Sequence, residues 1–186
     1  MGEARAKCDH NRFVALMQDT ARQLHMLYLA KGINATTAIE GNTLTQAQVL
    51  ERIEGQLELP ISKEYLGTEI DNMLDAYNNG PVRRIHGRES VPLNPETLKL
   101  FNTQVLHNLE AEDHVVPGQF RICSVAAGPY LAPPFQEVEH LVEKLCTWIN
   151  SVEPPNEQLR IPDAFIKAVV AHVYIEWIHP YGDGNG

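Results

Sequence analysis

Apolar residues recur every three to four positions along most of this chain, and that spacing predicts helices. Residues 12–31 place Phe13, Leu16, Met17, Leu24 and Leu27 on one side, with Gly32 as the stop. Thr45-Gln46-Ala47-Gln48 is a capping box and starts a helix that ends near Gly55. Ser62 is a candidate cap for the next helix, where Leu66, Ile70, Met73 and Tyr77 share a face and Gly80-Pro81 is the stop. Asn94-Pro95 sets an N-cap asparagine before a proline at the first helical position and predicts a helix to about Leu109.

The period changes over 118–133. Gly118 to Val125 reads as β, Ala126-Ala127-Gly128-Pro129 is turn material, and Tyr130-Leu131-Ala132 returns as a second short strand. Pro133-Pro134 then opens a helix over about 135–150, and Pro154-Pro155 marks a loop. Pro162-Asp163 starts the last helix, about 163–178. Its apolar residues, Phe165, Ile166, Val169, Val170, Val173, Tyr174, Ile175, Trp177 and Ile178, cover nearly the whole circumference. That pattern predicts a helix buried in the middle of a bundle. The fold class is mainly α, with one small β-hairpin.

Composition narrows the function. At 186 residues the chain can bury a sizeable core in one domain. A formal charge of -9 gives no electrostatic support to nucleic-acid binding. The one basic cluster, Arg83-Arg84-Ile85-His86-Gly87-Arg88, sits in a Pro/Gly-bounded stretch and reads as a solvated loop. Cys8, Cys123 and Cys146 are widely spaced and contain no Cys-x-x-Cys pair, which speaks against a zinc site or a disulfide framework. A reducing compartment fits that usage. With no signal-peptide pattern and no apolar run long enough to span a bilayer, the expectation is a cytoplasmic protein with no membrane and no nucleic-acid partner.

The candidate chemistry lies at Ile178-His179-Pro180-Tyr181-Gly182-Asp183-Gly184-Asn185-Gly186. Alternating glycines allow positive φ, and successive N–H groups there can form an anion nest. Asp183 suits a hard cation such as Mg²⁺, which accepts carboxylate, water and phosphate oxygens together. His179 offers an imidazole, whose charge changes near neutral pH, for general-base work. Together these point to phosphate-ester chemistry. A plain glycine-rich turn with His179 as a helix cap remains open on composition. A calcium loop is disfavoured because the further bidentate acid it needs does not follow. A Walker-type loop is excluded by the missing Gly-Lys-Ser/Thr and by the helix where a strand should precede.

His179 to Gly186 resembles the signature of Fic-domain proteins, His-Pro-Phe-x-Asp-Gly-Asn-Gly-Arg, with Tyr181 in place of Phe. His172-Val173-Tyr174-Ile175-Glu176-Trp177-Ile178 looks like the family's helix into the motif. Pro117 to Arg121, the hairpin and Pro133-Pro134 look like its β-hairpin flap. Far upstream, Thr36-Thr37-Ala38-Ile39-Glu40-Gly41-Asn42 resembles the inhibitory-helix motif, Ser/Thr-x-x-x-Glu-Gly/Asn, of the class with an N-terminal inhibitory helix. Read alone, Thr37-Ala38-Ile39-Glu40 is also a sound capping box. The resemblance covers roughly residues 30–186 and implies a Fic-type helical bundle. Residues 1–60 would carry N-terminal helices with the inhibitory motif at 36–42, and 61–186 the Fic core, incomplete at its C-terminal side.

The resemblance implies protein adenylyl transfer, with ATP and Mg²⁺ as cofactors and a target protein bearing an acceptor Ser, Thr or Tyr hydroxyl as partner. By position, His179 would be catalytic, Asp183 would hold the metal, and Gly184, Asn185 and Gly186 would cradle phosphate oxygens. Glu40, with Thr36, would be inhibitory. Val125, Ala126, Ala127, Gly128, Pro129, Tyr130 and Leu131 would form the flap that docks the target as an added strand. Removal of AMP, or transfer of another phosphoryl group, occurs in relatives and is the alternative. A non-catalytic nucleotide-sensing or partner-binding module is the alternative of another class. A homo-oligomer is compatible with all three. The family motif continues with an arginine, and in this class a second arginine pairs with the inhibitory glutamate. Both would lie past Gly186, so the sequence reads as a piece of a longer chain.

Overall fold

The computed structural model of the chain describes residue 6 and residues 17–79, 92–151 and 160–185. Phe13, Leu16, Cys8, the basic cluster at 83–88, Pro154-Pro155 and Gly186 lie outside the described residues. Six α-helices carry the described fold: α1 (Gln18–Ile39), α2 (Gln46–Ile53), α3 (Glu64–Asn79), α4 (Pro95–Val105), α5 (Val138–Ser151) and α6 (Arg160–Ile178). One hairpin, β1 (Ala126–Ala127) and β2 (Tyr130–Leu131), interrupts them. The mainly α class with a small β-hairpin is what the periodicity predicts. Among the described residues, no helix is long and apolar enough to cross a membrane.

Gly32 does not stop the first helix, which runs seven residues further to Ile39. An isolated glycine within a helix costs only about 1 kcal/mol relative to alanine. Burial of Ala30 and Ile33 beside it outweighs that cost. The buried stripe of α1 is Ala30, Ile33 and Thr37, whereas the predicted stripe residues Met17, Leu24 and Leu27 are exposed. The true stop is Gly41, at φ +96°. Its N–H donates to Ala38 O at 3.2 Å, and the Asn42 N–H donates to Thr37 O at 2.9 Å. These are the paired bonds of a Schellman cap, with glycine at the left-handed position and Glu40 as the C-cap residue. The capping-box reading of Thr37 to Glu40 is thereby overturned, since the segment ends a helix. The Thr37 hydroxyl donates back to Ile33 O at 2.9 Å.

The capping box at Thr45 and Gln48 forms as read. Among the described residues, no Ser62 cap bond is seen. The chain enters α3 through a 3₁₀ turn, Ile61–Lys63, behind Pro60. Asn94 caps α4, accepting from Thr97 N at 2.8 Å.

Among the described residues, two hydrophobic clusters result. Ala30, Ile33, Leu44, Val49, Leu66 and Ile70 join α1, α2 and α3. Leu98, Val138, Val142, Leu145, Cys146 and Ile178 join α4, α5 and the end of α6. Helix α6 departs from expectation: Ile178 is its buried residue, while Phe165, Ile166, Val169, Tyr174 and Trp177 are exposed. Its principal helical neighbour among the described residues is α5, which covers one side.

A buried amide connects the two clusters. Asn72 on α3 donates to Val105 O at 3.0 Å and to His107 O at 2.6 Å, satisfying carbonyls at the C-terminal end of α4. Asn72→Ala leaves both without that donor and is expected to destabilise the fold by about 2 kcal/mol, readable as a lower urea midpoint.

Candidate active site

The terminal loop begins where α6 ends. The His179 N–H still donates to Ile175 O at 2.8 Å, yet its φ is +49°. A left-handed conformation at a residue other than glycine persists only where its surroundings hold it. Arg121 is the principal holder. It is only 4% exposed. Its Nε donates to His179 O at 2.7 Å, Nη2 to Pro133 O at 2.6 Å and Ile178 O at 3.3 Å, and Nη1 to Cys123 O at 2.8 Å. The Arg121 N–H donates to Pro180 O at 2.9 Å. Burial pulls the guanidinium below the usual arginine pKa range. The carbonyls at the negative end of α6 offset part of that cost.

Asn102 on α4 holds the other side. It is 2% exposed. Its amide donates to Asp183 O at 2.9 Å and Gly184 O at 3.1 Å, and its oxygen accepts from Gly118 N at 2.8 Å. Gly184 has φ +67°, and a Cβ there would stand 3.0 Å from Asn102 Nδ2. Only glycine meets both conditions without strain. Residues 118–125 do not form the long strand read from their composition. Gly118 and Arg121 bond to Asn102 and Pro180, and the Phe120 ring packs tilted against Tyr181 with ring centroids 5.5 Å apart. Residues 118–121 brace the loop, and only Val125 continues into the hairpin.

Within the loop, the Asn185 side chain accepts from Tyr181 N at 2.9 Å and donates to Tyr181 O at 3.1 Å. It closes the loop on itself, leaving the backbone as what Asn185 can offer an anion. Gly184 N donates to Asp183 Oδ1 at 2.7 Å, while Asp183 remains exposed. Tyr181 is buried, and its hydroxyl has no hydrogen-bond partner among the described residues. Burial drives its pKa up.

The hairpin pairs Ala126 with Leu131 and Ala127 with Tyr130 around a two-residue turn, Gly128-Pro129. Val125 O accepts from Ala132 N at 3.2 Å at its base. The Tyr130 hydroxyl donates to Trp177 O at 2.7 Å, and Arg121 bonds both the hairpin's exit at Pro133 and His179. The hairpin therefore sits beside the histidine end of the loop.

The upstream motif comes to the other end. Thr36, Thr37, Glu40, Glu69, Asp183 and Gly184 all line one cavity of about 140 Å³. Thr36, Tyr181, Gly184 and Asn185 also line a larger, mainly apolar cavity of about 530 Å³ between α1, α3, α4 and α6. Among the described residues, no three His, Cys, Asp or Glu side chains are grouped to hold a metal ion. Asp183 is an exposed carboxylate on a glycine-rich loop, which suits Mg²⁺ carried largely by water and phosphate oxygens. Asn102 and Glu69 are neighbours of the loop and its cavity that motif spacing misses, whereas Arg121 closes the Pro117–Arg121 stretch already read as part of the flap. The signal for Asn102 is a polar residue on the Leu98–Val105 stripe of α4, and for Glu69 an acid beside the buried Ile70.

The Fic/DOC family model matches residues 92–186. The protein adenylyltransferase fic-1 of Caenorhabditis briggsae is 26% identical over 184 residues, covering 95% of this chain and 33% of that protein. Its counterpart in Caenorhabditis elegans is 24% identical over 187 residues, covering 99% of this chain and 34% of the relative. The chain thus spans about a third of the length of these relatives. Among solved structures, a Fic family protein from Desulfovibrio desulfuricans G20 superposes with a TM-score of 0.70 at 24% identity, covering 98% of this chain and 51% of that one. A Fic domain containing signaling protein from Bacteroides thetaiotaomicron also gives 0.70, at 17% identity, covering 91% and 62%. These superpositions show a shared fold.

Two substitutions test the loop's supports. Arg121→Ala leaves four carbonyls without their donor and is expected to cost about 3 kcal/mol, lowering the urea midpoint. Tyr181→Phe removes a buried hydroxyl without a described partner and is expected to raise stability by about 1 kcal/mol in the same measurement.

Proposed function

The chain belongs to the Fic/DOC family, and on that premise we propose that it transfers AMP from ATP to a hydroxyl of a target protein and is inhibited by its own Glu40. The observation that carries the reading is the meeting of two remote motifs. Thr36 and Glu40, at the end of α1, line the same cavity as Asp183 and Gly184.

In this reading His179, seated at the end of a rigid helix, takes the proton from the acceptor hydroxyl. The oxygen then attacks the α-phosphorus of ATP. A P–O bond forms, the bond to the β-phosphate bridging oxygen breaks, and pyrophosphate leaves. A magnesium ion bound at Asp183 would supply charge neutralisation on the phosphates. The backbone of Gly184, Asn185 and Gly186 would face phosphate oxygens. Asn102 holds the loop backbone at Asp183 and Gly184, and Arg121 holds it at His179, so little reorganisation is needed there when charge develops. The hairpin from Val125 to Leu131 would take the target segment as a further strand beside His179. In the two-stranded sheet each strand has one side without a strand partner among the described residues. Glu40 would act by placing a carboxylate next to the phosphate site, where it repels the nucleotide and blocks a productive pose.

Transfer from α-labelled ATP is the direct test. His179→Ala is expected to reduce it at least about 100-fold while leaving ATP binding intact. Glu40→Gly is expected to raise it several-fold. ATP binding without transfer, even in Glu40→Gly, would leave a non-catalytic module and sink the proposal.

A further inference from the structure

The cavity beside Asp183 has a third acidic wall that belongs to neither motif. Glu69 projects from α3, and its Oε2 accepts from Asn42 Nδ2 at 2.7 Å. The same amide nitrogen donates to Leu66 O at 3.0 Å, and Asn42 Oδ1 accepts from Leu44 N at 3.0 Å. The Asn42 backbone N–H closes the Schellman cap on Thr37 O. Asn42 is 6% exposed, so its own donors and acceptor are withdrawn from water. It stands two residues after Glu40. The cap and the clamp are therefore one unit: wherever Asn42 is held, the end of α1 and its Glu40 are held too.

Glu69 makes the strongest of these bonds, since a carboxylate accepts more tightly than a carbonyl. Its position is otherwise unfavourable. Burial raises its pKa, the Asn42 bond opposes that shift, and the charges of Asp183 and Glu40 add to it. An acid kept half-buried and facing two like charges is costly, and a glutamine would avoid most of that cost. What the residue at 69 contributes is an acceptor for Asn42.

We propose that Glu69 is a positioning residue for autoinhibition: through Asn42 it clamps the end of α1 onto α3 and keeps Glu40 on the wall it shares with Asp183. This rests on the inhibitory role of Glu40 proposed above. Glu69 touches no reacting atom in this scheme.

Amide hydrogen exchange over residues 37–44 and transfer from α-labelled ATP, on the purified protein, test it together. Glu69→Ala is expected to speed exchange of the Gly41 and Asn42 amides about tenfold, the loss of one charge-assisted bond, and to raise transfer several-fold. Glu69→Gln retains an oxygen that accepts from Asn42 and is expected to stay near the unsubstituted protein in both readouts. In a Glu40→Gly background, Glu69→Ala is expected to add nothing to transfer. Unchanged exchange in Glu69→Ala would overturn the clamp. Faster exchange with flat transfer, while Glu40→Gly still activates, would overturn the link to inhibition. A general loss of transfer in both backgrounds would mark Glu69 as merely structural and also overturn it. If Glu40→Gly itself has no effect, the inhibitory reading fails, and this proposal with it.

Discussion

The carbonyl oxygens at the end of α6 must be bonded, and the site depends on how that is done. A helix C-terminus leaves its last carbonyls without intrahelical donors. Here the helix ends against protein, so water is not the main partner. A buried guanidinium takes Ile178 O and His179 O, and a buried carboxamide takes Asp183 O and Gly184 O. Both donors come from elements outside the loop. The loop's shape is thus imposed by α4 and by the 118–121 segment, which explains how a histidine can sit at positive φ without glycine's freedom.

This arrangement couples parts that are distant in sequence. Arg121 bonds His179 and also the exit of the hairpin at Pro133, so the hairpin's base and the histidine share one rigid donor. Asn102 bonds the Asp183 end and also Gly118, at the start of the bracing segment. Helix α3 plays a similar part on the other side. Its Asn72 caps α4, which carries Asn102, while its Leu66 and Glu69 receive Asn42 at the end of α1. The distance between Glu40 and Asp183 is consequently set through α3. Each link is a polar contact at least partly buried, strong only while both partners are present.

Much of this was legible in advance. The capping box at Thr45, the Asn94-Pro95 start and the turn around Gly128-Pro129 are local, because each is made by residues within a few positions of one another. The same holds for the eight-residue loop motif. The misreadings share one physical origin. Gly32 looks like a stop because propensity sees only its missing side chain, whereas tertiary burial of Ala30 and Ile33 carries the helix through. Residues 118–125 look like a strand, but their hydrogen bonds go to a loop and a side chain. Helix α6 is apolar all round, and periodicity reports composition without reporting which side has a neighbour.

The sequence by itself determined where most helices begin and which side chains stand in the terminal loop, since both follow from side-chain type and short-range backbone preference. It also carried the two stretches, 36–42 and 179–186, that resemble family motifs. Only the tertiary structure decided that these motifs meet at one cavity, that Glu40 caps the end of a helix, and that Asn102, Arg121 and Glu69 hold the parts in register. Those facts rest on single hydrogen bonds between residues tens of positions apart. Such a bond leaves no periodic trace, because a buried polar side chain finds its partner by packing and not by spacing.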